Sequence, residues 1–226
     1  MTIRRVYAVL AGITWFALAL GWLLTIFNVY PVGALYENTL GDNPDGLAGA
    51  FGRLIDSLSY FTNVSLVIVA VVSTMLARNP DRGGAVWRAV RMDSLTMISI
   101  TGLIYAILLA PDAEVQGLDI ITNALKHYIV PVVTVLVFLI IGPRRQVSLA
   151  SVFTALVIPI TWAAYTLVRG EVIQAYPYGF LNVIAYGLPA VLVNIAGVAA
   201  LGIVMGLIFW ALDRVLGRRT STTKVG

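Results

Sequence analysis

Six mostly apolar stretches, uncharged but for Lys126, recur along the chain, separated by blocks that hold nearly all of its charge. A hydrocarbon layer about 30 Å thick takes about 20 helical residues at a rise of about 1.5 Å each. The runs at 6–27, 57–77, 94–110, 123–141, 149–168 and 190–212 approach or reach that length. They predict an all-α polytopic membrane protein whose residues 1–226 form a single domain, a bundle of six transmembrane helices. A polar tail is expected at 213–226. Arg4 and Arg5 followed by a run containing "ALALG" have the outline of a signal peptide, but the run continues through Phe27, so a retained first helix is expected.

Composition agrees with the pattern. Hydrophobic residues make up 59% of the 226, charged residues 12%, and the mean hydropathy is +0.90. The charges give the bundle a direction. With a cytoplasmic amino terminus, the inner segments hold Arg4, Arg5, Arg78, Arg82, Arg88, Arg91, Arg144, Arg145, Arg214, Arg218, Arg219 and Lys224, which is 12 of the 15 basic residues. Only Arg53, Lys126 and Arg169 fall outside. The positive-inside rule therefore places both termini and the Arg82 and Arg144 loops in the cytoplasm, and Asp45, Asp112 and Glu171 outside. The net charge of +4 reports this topology; no nucleic-acid motif accompanies it, and no nucleic-acid partner is expected.

Absences narrow the chemistry. With no cysteine there is no disulfide, thiolate metal site or cysteine nucleophile, and one histidine with scattered acids does not build a metal site. No cofactor is expected. The chain has no internal repeat.

The outer connections carry the most material. In "NVYPVGALYENTLGDNPDGLAGAFGRLID" the "NPDG" element reads as a tight turn and "LAGAFGRLI" as a short helix along the membrane surface. "RGEVIQAYPYGFLNVIAYGLP" brings Tyr176, Tyr178 and Tyr186, suited to the headgroup interface, before the sixth span. Together these are the parts of a lid. Polar residues collect at the same outer level. Thr62 lies near the start of the second span, His127 near the start of the fourth, and Tyr105, Tyr165 and Asn194 approach from the third, fifth and sixth. Ser59, Thr62 and Ser65 recur every three residues, with Asp56 and Asn63 beside them, as inward-facing stripes. The inner half reads as Val, Ile, Leu and Ala, with no charge near a span centre. Hydroxyls and amides of this kind also join helices by hydrogen bonds, and a lone histidine also serves as an interfacial anchor. As a pair, Thr62 and His127 have a chemistry that neither has alone: a neutral imidazole can take the proton of a hydroxyl too weakly acidic to attack an ester unaided. Asn63 and Tyr105 are the candidate oxyanion donors.

The elements "YFTNVS" at 60–65, "TGLIY" at 101–105, "HYIVP" at 127–131, "GPR" at 142–144 and "YPYGFLNV" at 176–183 occur in an order that resembles bacterial relatives of the androgen-induced and androgen-dependent membrane hydrolases. The resemblance implies a six-helix threonine hydrolase in a bacterial cell membrane, acting on fatty acid esters of hydroxy fatty acids. It implies Thr62 as nucleophile and His127 as its partner. From their depth and helix faces, Asn63, Ser65, Tyr105, Tyr165 and Asn194 are expected as binding or supporting residues, with Asp56 and Asn182 behind them. The chain departs from that pattern at Leu66, at Asn182 where relatives often have Asp, and in the apolar segment after the histidine. Membrane lipids and a lipidic ester are the expected partners. Asn194, Gly197, Gly202 and Gly206 on the last span permit close packing, within the chain or in a homo-oligomer. A small-molecule transporter and a non-catalytic lipid-binding protein on the same bundle are the alternative readings.

Overall fold

The computed structural model describes residues 2–29 and 37–222. Part of the first outer connection and the last four residues, Lys224 among them, lie outside the described residues. The helices follow in order: α1 (Ile3–Ile26), α2 (Ala50–Ser59), α3 (Phe61–Arg78), α4 (Ala85–Ile104), α5 (Asp119–Ala124), α6 (Val130–Ile140), α7 (Leu149–Thr154), α8 (Val157–Ile173), α9 (Val183–Tyr186) and α10 (Leu188–Thr222). A π turn at Tyr105–Leu109 extends α4, and another at Leu125–Ile129 joins α5 to α6. Among the described residues there are six helices long and apolar enough to cross a membrane, and no strands, so the protein is an all-α, multi-pass membrane protein.

The bundle is built around α3 and α4. Of the six spans, α4 has the largest buried share and α10 the smallest. Leu18, Leu66, Val69, Ala70, Ile98 and Val130 close the middle of the bundle, and Met92, Leu95, Phe138, Val152 and Phe209 fill the end nearest the arginine loops. Val193, Val204, Ile208 and Val215 leave the apolar outer face of α10 exposed. Two glycines of α10 serve packing within the chain: a Cβ at Gly206 would lie 2.9 Å from Val152, and one at Gly202 would lie 3.4 Å from Ile100. Gly197 has open space around it.

The two ends of the bundle differ. At one, Gln146 donates to Pro80 O and accepts from the Trp87 indole, while Asp213 accepts from the amides of Arg145 and Val147. Thus the loops bearing Arg82 and Arg144 meet there. At the other end the connection after α1 meets the one after α8: Leu40 N–H donates to Tyr176 O, Tyr176 N–H to Asn38 O, and the Asn182 side chain to Glu37 O.

Several expectations need correction. The second span does not start at 57. The chain turns at Tyr60, whose extended ψ of 132° ends α2 and starts α3, so Ser57 and Ser59 belong to the short outer helix and the Ser59, Thr62, Ser65 stripe is interrupted. The third span starts at Ala85, which brings Arg91 and Asp93 inside the helix, 2% and 1% exposed. Arg91 donates to Tyr7 Oη, which donates to Gly142 O; Asp93 Oδ1 has no hydrogen-bond partner. The inner half is therefore not uniformly apolar, and lack of buried charge is no argument against transport. The fifth span is broken between α7 and α8. The expected tail is helical through Thr222, with Asp213 buried. Tyr176, expected at the headgroup level, is fully buried, its ring lying where a Cβ on Gly170 would be.

Candidate functional site

Tyr60 positions Thr62 by starting α3 one residue before it. Because the chain enters the helix extended, Thr62 sits in the first turn, where backbone N–H groups have no intrahelical partner. The elbow is held from three sides. Asn63 Nδ2 donates to Ser57 O at 2.6 Å and to Ser57 Oγ at 3.0 Å. Trp162 Nε1 donates to Ser59 O at 2.9 Å, and Ser59 Oγ meets Tyr165 Oη at 3.0 Å. Arg169 and Asn43 both donate to Asp56, which joins α2 to α8 and to the preceding loop.

His127 arrives on a π turn. Pro131 has no N–H to offer the carbonyl four residues earlier, and its ring crowds that carbonyl, so the helix re-registers there. Opposite, Gly102 lets α4 come close: a Cβ there would lie 2.9 Å from Pro131 and 3.3 Å from His127 O. The approach brings Tyr105 onto the imidazole, with ring centroids 3.8 Å apart and planes within 7°. Tyr128 meets Tyr105 edge-on at 5.6 Å.

These elements bring Thr62 Oγ1 to 3.4 Å from His127 Nε2. On the far side of the ring, His127 Nδ1 lies 2.7 Å from Asn123 Oδ1. An amide oxygen accepts, so Nδ1 carries the proton and the Nε2 lone pair faces the Thr62 hydroxyl. The result is a relay of hydroxyl, imidazole and orienting amide. At 3.4 Å the first contact is looser than a strong hydrogen bond, as is common before a substrate is bound. Tyr178 completes the group. Its hydroxyl meets the Thr62 side chain and the Phe61 and Thr62 amides, and burial pushes its pKa up, so it is a neutral hydrogen-bonding group at ordinary pH.

Thr62 and Tyr178 stand between two cavities. One is a polar vestibule of about 560 Å³ at the end of the bundle away from the Arg82 and Arg144 loops, with Arg53, Asp56, Tyr105, Lys126 and His127 in its wall. The other is a narrow apolar cleft of about 90 Å³ between α4, α8 and α10, lined by residues such as Met97, Ile100, Pro159 and Val198. A hydroxyl with an imidazole beside it thus has a polar cavity on one side and an apolar one on the other.

Of the residues singled out from the sequence, Thr62, His127 and Tyr105 come together, and Asn63 and Asp56 line the vestibule. Both Asp56 oxygens and Asn63 Nδ2 are engaged, whereas Asn63 Oδ1 has no hydrogen-bond partner among the described residues. Asn63 Nδ2 is committed to Ser57, which removes its expected part as an oxyanion donor; Tyr105 serves as a stacking partner. The other four do not join the site. Ser65 hydrogen-bonds Phe61 O and Thr101 Oγ1, fastening α3 to α4. Tyr165 is 45% exposed and holds the elbow. Asn182 caps α9 through the Ile184 and Ala185 amides, and Asn194 donates to Phe180 O. Asn123, Lys126 and Tyr178 were missed as site residues, although Asn123 precedes His127 by four residues and so shares its helix face. Compared with family profiles, characterised proteins and solved structures, the chain matches none.

Proposed function

We propose that this protein is an intramembrane hydrolase of lipidic esters with Thr62 as nucleophile and His127 as general base. The observation that carries this reading is the Asn123, His127, Thr62 relay at the junction of a polar vestibule and an apolar cleft. The acyl chain lies in the cleft and the ester carbonyl beside Thr62. His127 Nε2 takes the Thr62 proton while Oγ1 bonds to the carbonyl carbon. Collapse of the tetrahedral species breaks the ester C–O bond, and the leaving alkoxide takes the proton from His127. Water from the vestibule then attacks the acyl-threonine, giving its proton to His127; the acid departs and the hydroxyl is restored. The amides that open α3, where the Tyr178 hydroxyl rests, are suited to hold the developing oxyanion.

The sequence resemblance supports the same chemistry and points to fatty acid esters of hydroxy fatty acids as substrates. It also points to a bacterial cell membrane as the location; the distribution of basic residues supports an orientation with the arginine loops and both termini cytoplasmic and the vestibule facing out. The test is turnover of long-chain esters by the purified chain and by its Thr62→Ala and His127→Ala variants. Each variant should remain folded and lose about 10²- to 10⁴-fold in turnover; unchanged hydrolysis by Thr62→Ala protein rules the nucleophile out.

A further inference from the structure

Lys126 precedes His127 and turns the other way, toward α1. Its ammonium fills a notch left by Gly21: a Cβ at that position would lie 2.2 Å from Nζ and 2.7 Å from Cε. A lysine that simply snorkels reaches outward to the headgroups. This one lies against a residue five positions inside the outer end of α1, about 8 Å along the helix. Among the described residues it has no hydrogen bond and no ion pair, yet it borders the vestibule.

The other charges around the cavity are accounted for. Arg53 donates to the carbonyls of Thr25, Ile26, Pro44 and Gly46. Asp56 is held by Arg169 and Asn43, and Asp45 is exposed. Asp119, two turns before Lys126 on the same face, accepts from Thr122 Oγ1 at 2.5 Å and attracts the ammonium only across a longer gap, without an ion pair. An ammonium with no hydrogen bond and no close counter-ion inside a membrane protein is costly unless something negative joins it.

We propose that Lys126 is the anchor for an anionic group, a carboxylate or a phosphate, on the amphipathic ester that reaches Thr62, so that the site selects acidic over neutral lipid esters. The inference rests on the hydrolase reading and adds its specificity residue. Lys126, His127 and Thr62 border the same vestibule, so the anion and the scissile bond share that cavity. The acyl tail takes the opposite direction, into the cleft.

The test compares a long-chain ester bearing a free carboxylate with the same ester methylated at that carboxylate, using the detergent-purified full chain. Wild-type protein should favour the acidic ester by about 10- to 100-fold in kcat/KM. Lys126→Met should lose that preference through KM, the ratio of acidic to neutral ester turnover falling toward one, whereas Lys126→Arg should keep most of it. Equal use of both esters by wild-type protein, or a preference that survives in Lys126→Met, overturns the proposal. Binding gives a readout without turnover: an ether analogue of the acidic ester should raise the melting temperature of wild-type protein but not of Lys126→Met. A chain that hydrolyses neither ester but binds the acidic ether through Lys126 refutes the hydrolase reading and upholds the anion site. Inorganic phosphate or acetate alone producing the full shift identifies a free anion as the ligand and overturns the lipid assignment.

Discussion

Asn123 decides whether His127 is a positioned base or merely a nearby ring. With its oxygen on Nδ1, the imidazole holds one tautomer and offers Nε2 to Thr62. Asn123→Ala should therefore lower turnover by about 10- to 100-fold, less than His127→Ala, with little change in KM; equal rates for wild type and variant would deny Asn123 an orienting role. Thr62 and His127 were legible in the sequence because each is a polar residue in the outer part of an apolar run, on separate spans. Asn123 has the same property and was passed over, since depth drew attention and helix face did not. Ser65 and Tyr165 were misplaced for a different reason: a hydroxyl is satisfied equally well by a local carbonyl or a neighbouring helix, and sequence does not rank those partners. Asp93 is the converse case, a buried carboxyl without a counter-ion for Oδ1. Asp93→Asn should leave the melting temperature unchanged or raise it; a large drop would reveal a favourable interaction of the charge.

The site depends on two local irregularities in otherwise regular helices. The elbow at Tyr60 sets Thr62, and the π turn at Leu125–Ile129 sets His127. Neither was legible: the departure at Tyr60 is a single backbone torsion, and Pro131, which re-registers the helix at His127, sits inside a run that otherwise reads as continuous helix. The short outer helix was legible from its alternation of small, apolar and charged residues. Gly102 couples the two sides by letting α4 lie against Pro131. Gly102→Val should push Tyr105 off the imidazole at a cost in stability of about 1–3 kcal/mol. Activity should fall although no residue of the relay is changed. Retained activity at full stability would mean that the stack is incidental. The strap of residues 174–182, tied to residues 37–40, carries Tyr178 to Thr62. Asn182→Ala removes the cap of α9 and the bond to Glu37 O together. It should increase proteolytic cleavage at the strap before any loss of helix; a cleavage pattern like that of wild type would show that the backbone bonds suffice.

At the scale of the molecule, six spans were legible because length and hydropathy decide them, while their ends were off wherever charged residues enter a helix, as Arg91 and Asp93 enter α4. The clustering of the Arg82 and Arg144 loops at one end, and of the Asp45 and Tyr178 segments at the other, fits an alternating path. Single cysteines placed in this cysteine-free chain at positions 45 and 82 should report the direction: an impermeant reagent on intact cells is expected to label 45 and spare 82. The opposite result would turn the bundle over and put the vestibule in the cytoplasm. Acylation of Thr62 is the covalent event at the centre of the proposed reaction, and its most direct test is the intact mass of the protein after brief exposure to a long-chain ester with a good leaving group. The account expects one added acyl group, mapped to the peptide containing Thr62, absent in Thr62→Ala and His127→Ala protein. Hydrolysis at full rate by folded Thr62→Ala protein, or an adduct mapped to another residue, would contradict it.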